Sequence, residues 1–164
     1  MLWRKAMSEF EQVCYTREGA IEKAIEMEKE SFDVYRKAYE MVEDKRARDL
    51  VKELALEELE HKYTLEKAFL EEEIALHDAG VEEGPSMELT MLLQIKPLDE
   101  DATSQDVMIY AIHEEKRSVD FYGKMAQACV GAPMESMFRR LQQDEGKHLA
   151  SLEELYESIY MPEM

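Results

Sequence analysis

Only two cysteines, four prolines and six glycines occur among the 164 residues. With no Cys-x-x-Cys pair, the chain cannot build a cysteine zinc site, an iron–sulfur cluster or a thioredoxin-like dithiol, and Cys14 and Cys129 read as isolated, inert packing residues. Few helix breakers in a background of Ala, Leu, Glu, Lys, Met and Arg leave a strongly helical composition. Basic residues are also scarce: 20 Lys and Arg stand against 38 Asp and Glu, a formal charge of −18. That balance excludes nucleic acid as a partner, since such binding needs a basic face. It disfavours anionic membrane surfaces while suiting cation uptake. No apolar run approaches the ~20 residues of a membrane span. Met1–Ala6 leads into an acidic stretch by Glu9, with no signal-peptide apolar segment, so a cytoplasmic location is expected.

What is present is helical periodicity in a single domain, residues 1–164. Ile21, Ala24, Ile25, Phe32, Tyr35, Tyr39 and Val42 mark a first helix, and Asp44 is placed to cap a second that fades near His77–Gly80. Residues 79–102 hold Gly80, Gly84, Pro85 and Pro97 and form the long connection, with a short helix expected over Met87–Ile95. Thr103-Ser104-Gln105-Asp106 resembles a capping box and opens a third helix. Gly131-Ala132-Pro133 stops it and starts a fourth, which runs to about residue 160. A short leading helix is expected over residues 1–17. The pattern predicts an all-α four-helix bundle of two hairpins (about 18–78 and 103–160) joined by a crossover (about 79–102).

The hairpins repeat each other. Ala24–Lys37 matches Ala111–Lys124 at eight of fourteen positions, and Leu54, Glu58, His61, Leu65 and Glu66 recur as Leu141, Glu145, His148, Leu152 and Glu153. Within this pseudo-twofold repeat, Glu58-Leu59-Glu60-His61 and Glu145-Gly146-Lys147-His148 each place a Glu three residues before a His. Each is preceded thirty positions upstream by another glutamate, Glu28 or Glu115. The midpoints, residues 43 and 130, fall at the predicted turns, so folding back brings each pair to one level. A His at i+3 shares its glutamate's helix face.

All four glutamates lie within apolar stripes, where an unpaired carboxylate is costly. Four carboxylates and two neutral imidazoles balance two divalent cations. They are the ligand set that holds a pair of iron or manganese ions inside a bundle. A single Glu-x-x-His on an acidic helix is most simply a solvated pair, but two in identical register with matched partners are not.

Other residues weigh less. His77 and His113 have no counterparts in the repeat and read as surface residues. The runs Glu71-Glu72-Glu73 and Glu82-Glu83 read as solvated charge. Tyr35 and Tyr122, two turns beyond Glu28 and Glu115, could hydrogen-bond a ligating carboxylate, donate an electron or simply pack. Glu57 and Asp144, directly before the motifs, could orient a histidine on another helix or lie exposed.

With Ala24-Ile25-x-x-Glu28…Tyr35, Glu58-x-x-His61, Ala111-Ile112-x-x-Glu115…Tyr122 and Glu145-x-x-His148, residues 18–160 resemble the ferritin-like diiron carboxylate superfamily, nearest to the rubrerythrin diiron domain. The resemblance implies Glu28 and His61 as terminal ligands of one ion, Glu115 and His148 of the other, with Glu58 and Glu145 bridging. It implies two iron ions (manganese or zinc being alternatives), peroxide or dioxygen as oxidant, an external electron donor, and a homo-oligomer with a dimer favoured. The implied activity is an oxidoreductase in oxidative-stress or iron handling, of ferroxidase or peroxidase type; the alternative is iron storage or delivery. The chain departs from rubrerythrins in lacking a rubredoxin domain and in carrying Ser118 where they have a further glutamate.

Overall fold

The computed structural model describes residues 17–71, 88–131 and 134–161. Among these residues are four long helices, α1 (Arg17–Met41), α2 (Lys45–Glu71), α3 (Ser104–Ala128) and α4 (Met134–Tyr160), a 3-10 turn at Leu89–Met91, and no strand. None of the helices is long and apolar enough to cross a membrane.

The helix ends have local causes. Asp44 Oδ1 accepts the backbone N–H groups of Arg46 (2.9 Å) and Ala47 (3.1 Å), satisfying donors that the first turn of α2 leaves open. Thr103 and Asp106 cap α3 reciprocally: the threonine hydroxyl accepts from the Asp106 N–H, and the aspartate accepts from the Thr103 N–H. Asp, one methylene shorter than the usual Glu, still closes the box. Gly131 takes φ 82°, the left-handed conformation that lets the chain leave α3. Thr103→Ala is expected to lower stability by about 1 kcal/mol. In a circular-dichroism melt that is a fall of roughly 2–4 °C.

Contacts between helices set their directions. The Ser104 hydroxyl donates to the Met41 carbonyl, Arg117 pairs with Glu30, and the Tyr122 hydroxyl reaches the Ala24 carbonyl, so α1 and α3 are antiparallel. Arg46 with Ser158, and Glu57 with His148, make α2 and α4 antiparallel. The most extensive packing is α1 on α2 and α3 on α4. Equivalent residues of the repeat meet: Ser31 and Ser118 Oγ lie 3.5 Å apart in the interior.

On every helix the apolar core divides in two. Tyr35, Ala38, Val51, Leu54, Met108, Ile112, Leu152 and Tyr156 belong to one cluster. Ile21, Ala24, Leu65, Tyr122, Met125, Phe138 and Leu141 belong to the other. Glu28, Glu58, His61, Glu115, Glu145 and His148 fall in the interval between them. A polar layer is thus sealed above and below by hydrocarbon.

Several expectations need correction. Of the helix expected over Met87–Ile95, the described residues from Glu88 onward form only the single 3-10 turn Leu89–Met91, entered through Glu88 in the left-handed conformation, and Met87 lies outside the described residues. His113 is not a free surface residue: it is half-buried, and its Nε2 donates to the Leu93 carbonyl at 2.8 Å. Cys129, buried at the end of α3, is disulfide-bonded rather than an inert thiol. Separation in sequence says nothing about proximity in space. Cys14, the leading helix before residue 17, His77 with the fading end of the second helix, and both glutamate runs apart from Glu71 lie outside the described residues.

Candidate metal centre

The four predicted glutamates come from four different helices, yet all are at most 1% exposed. His148 is also buried and His61 nearly so. Burying so many ionisable groups together costs several kcal/mol per charge unless something compensates them. Their geometry shows what would. His61 Nδ1 faces Glu28 Oε2 at 3.3 Å, Glu58 Oε2 at 3.6 Å and Glu145 Oε1 at 3.2 Å. His148 Nδ1 faces Glu115 Oε1 at 3.7 Å, Glu58 Oε1 at 3.2 Å and Glu145 Oε2 at 3.0 Å.

Glu58 and Glu145 each turn one oxygen to each histidine. Two overlapping groups result, Glu28–Glu58–His61–Glu145 and Glu58–Glu115–Glu145–His148, each with ligand atoms within 4.8 Å of one another. The imidazole rings lie nearly parallel with centroids 5.8 Å apart. Ligand bonds of about 2.0–2.2 Å put neighbouring ligand atoms about 2.8–3.6 Å apart. The spacings observed are close to those edges.

These short approaches are not hydrogen bonds. Glu28 Oε2, both oxygens of Glu58, Glu115 and Glu145, and Nδ1 of both histidines are buried without a hydrogen-bond partner. Buried polar atoms are almost always satisfied. Nine unsatisfied atoms, all on the six predicted side chains and all converging, are what a cation-binding cage requires. The donor set therefore fits a metal ion, and the shared glutamates give it room for two.

Groups around the cage orient it. The Tyr122 hydroxyl donates to Glu28 Oε1, leaving Oε2 as that residue's inward atom. Tyr35 is fully buried in the apolar cluster, and its hydroxyl has no partner. On the outer side of the rings, His148 Nε2 lies 2.7 Å from Glu57 Oε2, a hydrogen bond, whereas His61 Nε2 lies 3.6 Å from Asp144 Oδ2, beyond one.

Proton affinities record the crowding. Burial, reinforced by the charge of Glu145, raises the Glu28 carboxyl well above the usual range and that of Glu115 to about 8. Glu58 is pulled the other way: burial opposes it, but contacts with Glu28, His148 and His61 stabilise its charge. Burial would favour neutral histidines, yet the surrounding carboxylates raise both rings, with Asp144 foremost for His61 and Glu115 for His148. The Glu57 carboxyl is lowered by its bond to His148.

Two buried carboxylates were not singled out from the sequence. Glu114 is held by Arg117 at 2.9 Å. Glu153 accepts the Leu89 N–H at 3.2 Å and ties the connection to α4. Its repeat equivalent, Glu66, bonds Lys62 and is half-exposed. The repeat that reveals the converging side chains thus conceals this difference, because the described connection covers only the second hairpin's copy.

No protein-family model, curated protein or solved structure matches the chain.

Proposed function

We propose that this chain is a dinuclear metal protein of the ferritin-like, rubrerythrin type, holding two iron ions and acting as an oxidoreductase toward peroxide, dioxygen or ferrous iron. The observation that carries the reading is the convergence of nine unpartnered buried ligand atoms from a duplicated hairpin. The helix directions support it, since α1–α3 and α2–α4 contacts leave α2 and α3 running the same way and so require a connection along the bundle. Carboxylate oxygens with imidazole nitrogen suit iron, with manganese and zinc as competitors.

Glu28 and His61 would hold one ion, Glu115 and His148 the other, and Glu58 and Glu145 both. Two adjacent iron ions supply paired one-electron oxidations, which matches a two-electron oxidant. The protein's own part is positional. Tyr122 fixes the Glu28 carboxylate, Glu57 fixes the His148 ring, and the two apolar clusters keep bulk water from the layer. These 164 residues hold no Cys-x-x-Cys pair, so electrons would come from outside them or from incoming ferrous iron.

The test is anaerobic loading of the metal-free protein with ferrous iron, metal analysis, and stopped-flow mixing with peroxide and with air. Two irons per chain and oxidation much faster than in the Glu58→Gln/Glu145→Gln double variant are expected. Equal rates in the two proteins would refute the catalytic reading.

A further inference from the structure

The two halves of the cage are not held alike. His148 is 3% exposed, and its Nε2 is bonded at 2.7 Å to Glu57, which pairs with no lysine or arginine among the described residues. His61 is 14% exposed, and the carboxylate on its outer side, Asp144, is shared with two cations. Arg140 Nε donates to Asp144 Oδ2 at 2.9 Å, and Lys147 Nζ approaches Oδ1 at 3.4 Å. The oxygen nearest His61 Nε2 is the one engaged by Arg140, which leaves the 3.6 Å gap.

A ligating imidazole is oriented and made more basic by a carboxylate on its other nitrogen, and loss of that partner typically costs about 10–100-fold in metal affinity. Arg140 and Lys147 lie one turn before and one turn after the Asp144 region of α4, so both reach the aspartate without strain. In the first hairpin the residue equivalent to Arg140 is Glu53 and that equivalent to Lys147 is Glu60. Neither can compete for Glu57. The repeat has kept the ligands and changed the residues that steer them.

Resting on the dinuclear reading above, we infer that the centre is functionally asymmetric: the His148 side is the tight ion site, the His61 side is the weaker, exchangeable one, and Arg140 and Lys147 set the difference by holding Asp144 beyond hydrogen-bond distance of His61, so that it lends the ring its charge but does not orient it. Arg140, Lys147, Asp144 and Glu57 are positioning residues, acting on the ions only through the histidines. The arrangement gives a centre that retains one ion while the other comes and goes on the more open side.

Manganese(II) is the probe, titrated into the metal-free full-length chain by calorimetry, with unbound ion counted by electron paramagnetic resonance. Wild type is expected to take up two ions in separate phases, the second about 10–100-fold weaker. Arg140→Gln/Lys147→Gln is expected to tighten the second phase about tenfold and leave the first unchanged. Glu57→Gln should weaken the first phase and Asp144→Asn should leave it unaltered. Two ions of equal affinity in wild type, or a second phase unmoved in the Arg140/Lys147 variant, would overturn the asymmetry alone. Failure of wild type to bind manganese at all would overturn the metal-centre reading itself. Matching circular-dichroism melts of the variants separate loss of binding from loss of fold.

Discussion

Titrating the metal-free protein with a divalent ion at pH 7 is expected to release protons as the ions bind, one of them from Glu115. Without metal, burial and repulsion from Glu145 raise the proton affinity of Glu28 and Glu115, the latter's carboxyl to about 8. The carboxylates that carry charge raise the proton affinity of His61 and His148 as well. These protons serve as the counter-charges that the ions later replace. Each proton displaced makes the apparent affinity rise about tenfold per pH unit, until Glu115 itself ionises near pH 8. Calorimetry in buffers of different ionisation enthalpy counts the protons directly. A count near zero would mean that the carboxylates and rings are already deprotonated, and would remove the electrostatic account of the cage.

The second large effect concerns stability without metal. Glu115 gives up its proton near pH 8 in the folded chain but near its ordinary value of 4.5 when unfolded. Between those limits the native state binds the extra proton, and linkage makes stability fall as pH rises. Both histidines act in the same direction, since a ring with raised affinity contributes fully below its unfolded value and loses that contribution as pH passes its folded one. The lowered carboxyls of Glu57 and Asp144 have the opposite sign and weaken the fold only at acid pH.

The metal-free protein should therefore be most stable near pH 5. It should lose on the order of 4 kcal/mol from Glu115 alone by pH 8, or roughly 10 °C in melting temperature. Glu115→Gln is expected to recover most of that loss while reducing metal uptake to one ion or none. Metal-loaded wild type should not show the decline, because the ions bind only the folded cage. A flat melting temperature from pH 5 to 8 in the metal-free protein would contradict this.

The convergence of the six side chains was legible because two coincidences in sequence, the repeated Glu-x-x-His and the equal spacing to an upstream glutamate, translate directly into helix geometry. Turn positions were legible for the same reason: Asp44, Thr103 and Gly131 carry their conformations in their own side chains or lack of one. Interactions that depend on a distant segment were not. His113 and Glu153 are defined by the connection that crosses them, and neither periodicity nor the repeat encodes where a connection lies. Cys129 belongs to the same class. Tyr122 and Tyr35 look equivalent in sequence, yet only the first is given a carboxylate partner by the packing.

Ser31 meeting Ser118, and His61 lying against His148, have a consequence for how such a molecule could arise and be rebuilt. Glu58 and Glu145 come from opposite halves, so neither half alone encloses an ion on every side. Two copies of one half, related by a half-turn rotation, would restore the entire cage. The present polypeptide is in effect that dimer in one chain, its six converging side chains repeated while their neighbours differ, Arg140 and Lys147 standing where the first half has Glu53 and Glu60.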